Sequence, residues 1–122
     1  MDKREFEGKR APEFFVQSDV SQAEGIEHLI RAAKERMGGV DILVNNVGSS
    51  SHSRGDALAL SDDDWHRTFE TNLFSVVRLD RGLLPGMIEQ RSGAIVHVTS
   101  IDSGRPIPEL MAYSSAKAAV TN

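Results

Sequence analysis

The sequence predicts an α/β fold: a partial doubly wound, Rossmann-like parallel sheet with crossover helices and three strands. Three observations predict it. Short extended runs at 13–18, 40–45 and 94–99 alternate with longer runs whose apolar residues recur at helical spacing. The run 40–45 (Val-Asp-Ile-Leu-Val-Asn) is apolar on both alternate faces, as a strand buried in a parallel sheet reads. A strand, a helix and a second strand in succession imply a right-handed βαβ unit.

In chain order, residues 1–12 are charged and end in Ala11-Pro12, which suits an exposed lead-in. Residues 13–18 are aromatic and β-branched and read as a strand. Asp19 follows, placed to cap the next helix, a role that Ser21 could equally take. Ile26, Leu29, Ile30, Ala33 and Met37 then mark an amphipathic helix over 22–37, closed by Gly38-Gly39. After the strand at 40–45, a polar, serine-rich stretch reaches Gly55; just beyond a central strand, such a stretch reads as a pocket rim. Ser61-Asp62-Asp63-Asp64 starts a helix, its carboxylates facing the positive end of the dipole. That helix runs through Trp65, Phe69, Leu73, Val76, Leu79 and Leu83, with a kink expected at Pro85-Gly86. Asn72 lies inside it, where asparagine is a mediocre helix former. Ser92-Gly93 turns into the strand at 94–99, and Gly104 to Pro108 loops into a final small, Ala-rich helix.

Chemistry concentrates in that last segment. Tyr113 and Lys117 stand four apart and share one helix face. A phenol beside an ammonium can act as one unit, because the cation favours phenolate and so eases proton exchange. Ser100 follows a strand, and open α/β sheets bind ligands at the carboxyl ends of their strands. Each feature also has a plainer meaning: a surface helix pair, a helix cap, and for Asn45-Asn46 a turn.

Taken together, Ser100, Tyr113 and Lys117 at these spacings, Asn45-Asn46-Val47-Gly48 upstream and Asn72 between them resemble the short-chain dehydrogenase/reductase family over nearly the whole chain. The resemblance implies an NAD- or NADP-dependent oxidoreductase that interconverts a small-molecule carbonyl and alcohol. Tyr113 would be its acid/base, Ser100 would hydrogen-bond the substrate oxygen, Lys117 would assist Tyr113 and hold the nicotinamide ribose, and Asn72 would help to anchor a proton path. It places Asp19, Val20, Asn45, Val47, Gly48, Tyr113 and Lys117 at the cofactor, with Val47 standing where the family usually has alanine. It also implies a homo-oligomer formed through the long helix. Ser100 and the Asn-Asn-x-Gly element favour the simple reductase branch over the epimerases and dehydratases that share Tyr-x-x-x-Lys.

The family's glycine-rich pyrophosphate turn, Gly-x-x-x-Gly-x-Gly, is not found in the 122 residues. The expectation is therefore one incomplete NAD(P)-binding domain over 1–122, inactive by itself and loosely packed or prone to association. In the strand order 3-2-1-4-5-6, its first and second extended runs would be the third and fourth strands, whose native places are not adjacent. The alternative is a non-catalytic remnant with a folding or dimerisation role. Composition narrows the rest. A net charge of −4 with scattered basic residues points away from nucleic acid, and zero cysteines exclude disulfides and thiolate metal sites. The four histidines show no ligand spacing, no run is apolar enough for a signal peptide or membrane span, and cytoplasm is the default.

Overall fold

The helical segments expected from apolar periodicity are present in the computed structural model, which describes residues 15–122, but the buried positions differ in part: in the first helix Ile26 and Ala32 are buried, while Ala33 is half-buried and Met37 is exposed. Its elements are α1 (Ala23–Met37), β1 (Ile42–Asn45), α2 (Asp62–Phe69), α3 (Ser75–Glu89), β2 (Ala94–His97) and α4 (Met111–Thr121). A π-helical turn, Glu70–Phe74, joins α2 to α3, and a 3₁₀ turn, Ile101–Ser103, follows β2.

Helix α1 ends as its Gly38 requires, in a left-handed cap (φ 73°) whose N–H donates to the Lys34 carbonyl. At its start neither Asp19 nor Ser21 is the cap. Gln22 holds that position without a side-chain bond, while the Asp19 carboxylate accepts from the Ser21 N–H (3.0 Å) and hydroxyl (2.7 Å) in a turn just before it. Helix α2 begins with a capping box: Ser61 Oγ accepts from the Asp64 N–H, and the Asp64 carboxylate accepts from the Ser61 N–H. Helix α3 continues through Pro85 to Glu89.

The two strands pair in parallel, Ile42 with Ala94 through Asn45 with His97. Among the described residues the sheet has two strands, where the sequence predicted three. Residues 15–18 join no ladder; Arg36 donates to the Phe15 carbonyl and the Ser18 hydroxyl to the Gly25 carbonyl, while residues 13 and 14 lie outside the described part. A strand needs a neighbour to pair with, and no other described strand adjoins this segment.

Burial corrects a second expectation. Asn45 and His97 both meet Asp80 of α3, so theirs is the helix-covered face. The opposite face is open: Ile42 is 65% exposed, Val44 55% and Val96 48%. These strands are apolar on both sides but covered on one, where Asn45 is buried and Leu43 and Ile95 are half-buried. The core lies between α1 and α3, where Ile26, Ala32, Val76, Leu79, Leu83 and Met87 are buried. Ala112 and Ala116 of α4 are fully buried, and their small side chains let that helix press against α2 and the π turn.

Candidate active site

The π turn sets up the site. Widening one turn of a helix disturbs the i→i−4 ladder and strands carbonyls that side chains must then satisfy. Asn72, fully buried, donates from Nδ2 to the Thr68 carbonyl (2.8 Å), and Ser75 Oγ donates to the Thr71 carbonyl (2.6 Å). The other Asn72 contacts reach across to the loop after β1. Nδ2 donates to the Ser49 carbonyl (2.9 Å), and Oδ1 accepts from the Ser49 N–H (3.0 Å). One asparagine thus pins the segment that follows Asn45-Asn46-Val47-Gly48.

Lys117 comes from α4, one turn after Tyr113, as the spacing predicts. It is only 3% exposed, and its Nζ donates to two main-chain carbonyls, Val47 (2.8 Å) and Val98 (3.1 Å). Those carbonyls stand just past the ends of the two strands. Burial holds the ammonium below its ordinary titration range, while the two carbonyl acceptors favour the charged form. Nζ lies 6.0 Å from the centre of the Tyr113 ring. Gly48 presses on this arrangement: a Cβ there would stand 3.2 Å from Lys117 Nζ and 3.5 Å from Asn72 Oδ1.

These groups line an open cavity of about 290 Å³ bounded by Asn46-Val47-Gly48, Ser49, Ser50, Val98, Thr99, Tyr113 and Lys117. Val47, Gly48, Tyr113 and Lys117 therefore converge, and Asn72 supports them from below. Ser100 sits one residue beyond the lining, at the start of the 3₁₀ turn, where its Oγ accepts from the Asp102 N–H (3.2 Å). Asp19 and Val20 are not among the lining residues; Asp19 is exposed in the turn before α1.

Asn45 faces the other way. Its amide is 2% exposed and donates to Asp80 Oδ1 (2.8 Å), and Asn46 is the asparagine at the cavity. Strand alternation dictates this, since adjacent residues point to opposite faces and Asn45 is the last on the helix side. The sequence reading also passed over Asp80 and His97, which meet at 3.0 Å. Only period-two reading of His97 against Asn45 could have hinted at them.

The cavity can hold a planar group with hydrogen-bonding edges. It offers the bare backbone at Gly48, a buried cation and a phenol in one wall. That donor set fits the nicotinamide end of a dinucleotide, since a larger residue at Gly48 would crowd the cation there.

Comparison with known proteins identifies the family and the fold. The short chain dehydrogenase family model matches residues 3–122. The chain is 35% identical to the 3-oxoacyl-[acyl-carrier-protein] reductase FabG of Vibrio cholerae, over 84% of this chain and 41% of that protein. It is 38% identical to the 4-formylbenzenesulfonate dehydrogenase TsaC1/TsaC2 of Comamonas testosteroni, over 85% and 41% of the respective lengths. Its structure resembles that of an L-sorbose reductase from Gluconobacter frateurii, solved with NADPH and L-sorbose. The TM-score is 0.80 at 36% identity, covering 86% of this chain and 39% of that one. The chain spans about two fifths of the length of these relatives.

Proposed function

Because the chain belongs to the short-chain dehydrogenase family, a family of oxidoreductases, we propose that it carries the catalytic part of an NAD(P)-dependent enzyme interconverting a small-molecule carbonyl and alcohol. The observation that carries this reading is the buried Lys117 ammonium, fixed between the Val47 and Val98 carbonyls in the same cavity wall as Tyr113.

A nicotinamide cofactor bound there supplies or accepts the hydride. In the reductive direction, Tyr113 gives its phenolic proton to the carbonyl oxygen as that oxygen gains negative charge, and is left as phenolate. Lys117, 6.0 Å from the ring centre, stabilises that phenolate until a solvent proton replaces the one lost. Ser100 uses its oxygen to accept from the Asp102 N–H, which leaves its hydroxyl hydrogen for the substrate oxygen. Asn72 serves the proton path by holding Gly48-Ser49 against Lys117. In this reading Val47 and Gly48 contact the cofactor and Asp19 and Val20 serve its adenine end, whereas Asn45, turned to Asp80, supports the strand end and not the cofactor.

In a full-length form that turns over, Tyr113→Phe should lower kcat by at least ~10²-fold with little change in cofactor affinity. Turnover within a few-fold of wild type would remove Tyr113 from the role. The 122 residues contain no glycine-rich phosphate turn, so we hold that this chain by itself neither binds the cofactor at micromolar concentration nor turns over. Titrating NADPH fluorescence with the isolated chain tests this, and saturable enhancement would refute it.

The reading includes a homo-oligomer in the full-length enzyme, supported by Leu84 and Ile88 of α3, which are apolar and exposed. It also includes the cytoplasmic setting expected from the sequence. No helix among the described residues is long and apolar enough to cross a membrane.

A further inference from the structure

We infer that Asp80 is a positioning residue for the Lys117 ammonium: its carboxylate ties the carboxyl ends of both strands to α3, and so fixes the two carbonyls that seat the cation. The catalytic meaning of this inference rests on the oxidoreductase reading, but the geometry does not.

The two carboxylate oxygens of Asp80 are divided between the strands. Oδ1 accepts from Asn45 Nδ2 at 2.8 Å, at the last residue of β1, and Oδ2 meets His97 Nε2 at 3.0 Å, at the last residue of β2. Asn45 and His97 are directly paired in the ladder, so the carboxylate closes its final rung from the helix side. The next backbone bond, Val98 N–H to the Asn45 carbonyl (2.9 Å), is the last link before the strands part. Val47 lies two residues past Asn45 and Val98 one residue past His97, and theirs are the carbonyls that hold Lys117. The tether from anchor to seat is therefore only one or two residues long on either side.

The Asn45 amide confirms where the constraint originates. Among the described residues its buried Oδ1 has no hydrogen-bond partner, so the amide is oriented there by its bond to Asp80 and not by an acceptor-side contact. Leaving a buried acceptor unpaired carries a real cost, and the charge-assisted bond at the other end of the amide offsets it. A carboxylate bonded on both oxygens also resists rotation better than a hydroxyl or amide making one bond.

The test needs neither cofactor nor substrate, so its failure is separate from failure of the oxidoreductase reading. In the 122-residue chain, kept monomeric by Ile42→Thr with Val44→Thr on the open sheet face and labelled with ¹⁵N-lysine, exchange of the Lys117 ammonium protons with water reports how firmly the two carbonyls hold them. Asp80→Leu should speed that exchange about tenfold, the effect of weakening one hydrogen bond to a charged group. Asp80→Asn keeps a bridge, with its amide oxygen toward Asn45 and its NH₂ toward His97, and should leave exchange within about twofold. In that variant His97 Nε2 accepts from the new NH₂, which places the ring proton on Nδ1, visible in ¹⁵N-histidine spectra that contain only four histidines.

Ile26→Val, in the core between α1 and α3, is the control for general loosening. Its melting temperature should fall while Lys117 exchange holds. Should Asp80→Leu fail to fold, His97→Ala removes one arm of the bridge at a part-exposed site and should still speed exchange about threefold. Unchanged exchange in Asp80→Leu or His97→Ala would overturn the inference. So would exchange that simply tracks melting temperature across all variants, which would make Asp80 a residue of the fold alone.

Discussion

At the scale of single residues, the site depends on one absent side chain as much as on those present. Lys117 is gripped by two carbonyls at 2.8 and 3.1 Å, and cannot retreat from a new neighbour without lengthening one of those bonds. A Cβ at residue 48 would stand 3.2 Å from Nζ and 3.3 Å from Cε. Gly48→Ala should therefore displace the ammonium by a few tenths of an ångström and lower kcat/KM of a full-length form about tenfold. Steady-state kinetics measure this, and wild-type kcat/KM would show that the loop yields instead. Part of this seat was legible in the sequence: Tyr113 and Lys117 share a helix wall as their spacing implied, and Asn72 and Gly48 stand beside Lys117, residues to which only the family resemblance pointed. What could not be read was the side on which each asparagine of the pair falls. Asn45 and Asn46 are chemically identical, and only the ladder register, in which Asn45 opposes His97, sends one to Asp80 and the other to the cavity.

At the scale of elements, the helix starts were the most readable feature, because capping is local. Ser61 with Asp64 three residues on forms the box that its letters announce. The bonds that Asp64 accepts from the Ser61 hydroxyl and N–H hold its carboxyl below the ordinary aspartate value. A group whose folded value is depressed adds stability above its unfolded value, and that stability is lost as pH falls through the folded value. The cap should thus be intact above about pH 4 and loosen only below it. In an acid titration followed by circular dichroism, Asp64→Asn should flatten that part of the stability profile, and an unchanged profile would assign the acid loss elsewhere. The long helix was less readable. Its apolar positions suggested one continuous α-helix, whereas Glu70–Phe74 is π-helical. The weak helix propensity of Asn72 marked the place without revealing the geometry, since that geometry follows from bonds to Ser49, 23 residues away in the chain.

At the scale of the whole molecule, α3 covers the sheet on the face of Asn45 and His97, and among the described residues the other face stays open. Parallel strands are normally covered on both sides, and a contiguous apolar face left in water drives association. Ile42, Val44, Val96 and Val98, all more than two fifths exposed, form such a face on a sheet whose two edges are unpaired among the described residues. The 122-residue chain should therefore self-associate at micromolar concentration, and Ile42→Thr with Val44→Thr should shift it toward monomer. Sedimentation velocity decides the matter, and a monodisperse wild-type monomer would mean that the face is covered by some other part of the chain. The α/β class and the parallel pairing were legible here because they depend on the order of elements. The number of strands was not, because a strand at 13–18 exists only if something pairs with it.

The π-helical turn gives the long helix an unusual sensitivity to length. Each residue of an α-helix turns the chain by about 100°, and a π turn accommodates one residue more than an α turn. Glu70–Phe74 thereby sets the phase between the half that carries Thr68 and Asn72 toward the site and the half that buries Val76, Leu79, Leu83 and Met87 against α1. Deleting one residue from the regular turns of α3, which have no such slack, would leave composition, charge and helical propensity almost unchanged, yet would swing its apolar stripe by about 100°, more than a quarter-turn, away from its partner. Over this segment the protein tolerates a change of letter more readily than a change of count.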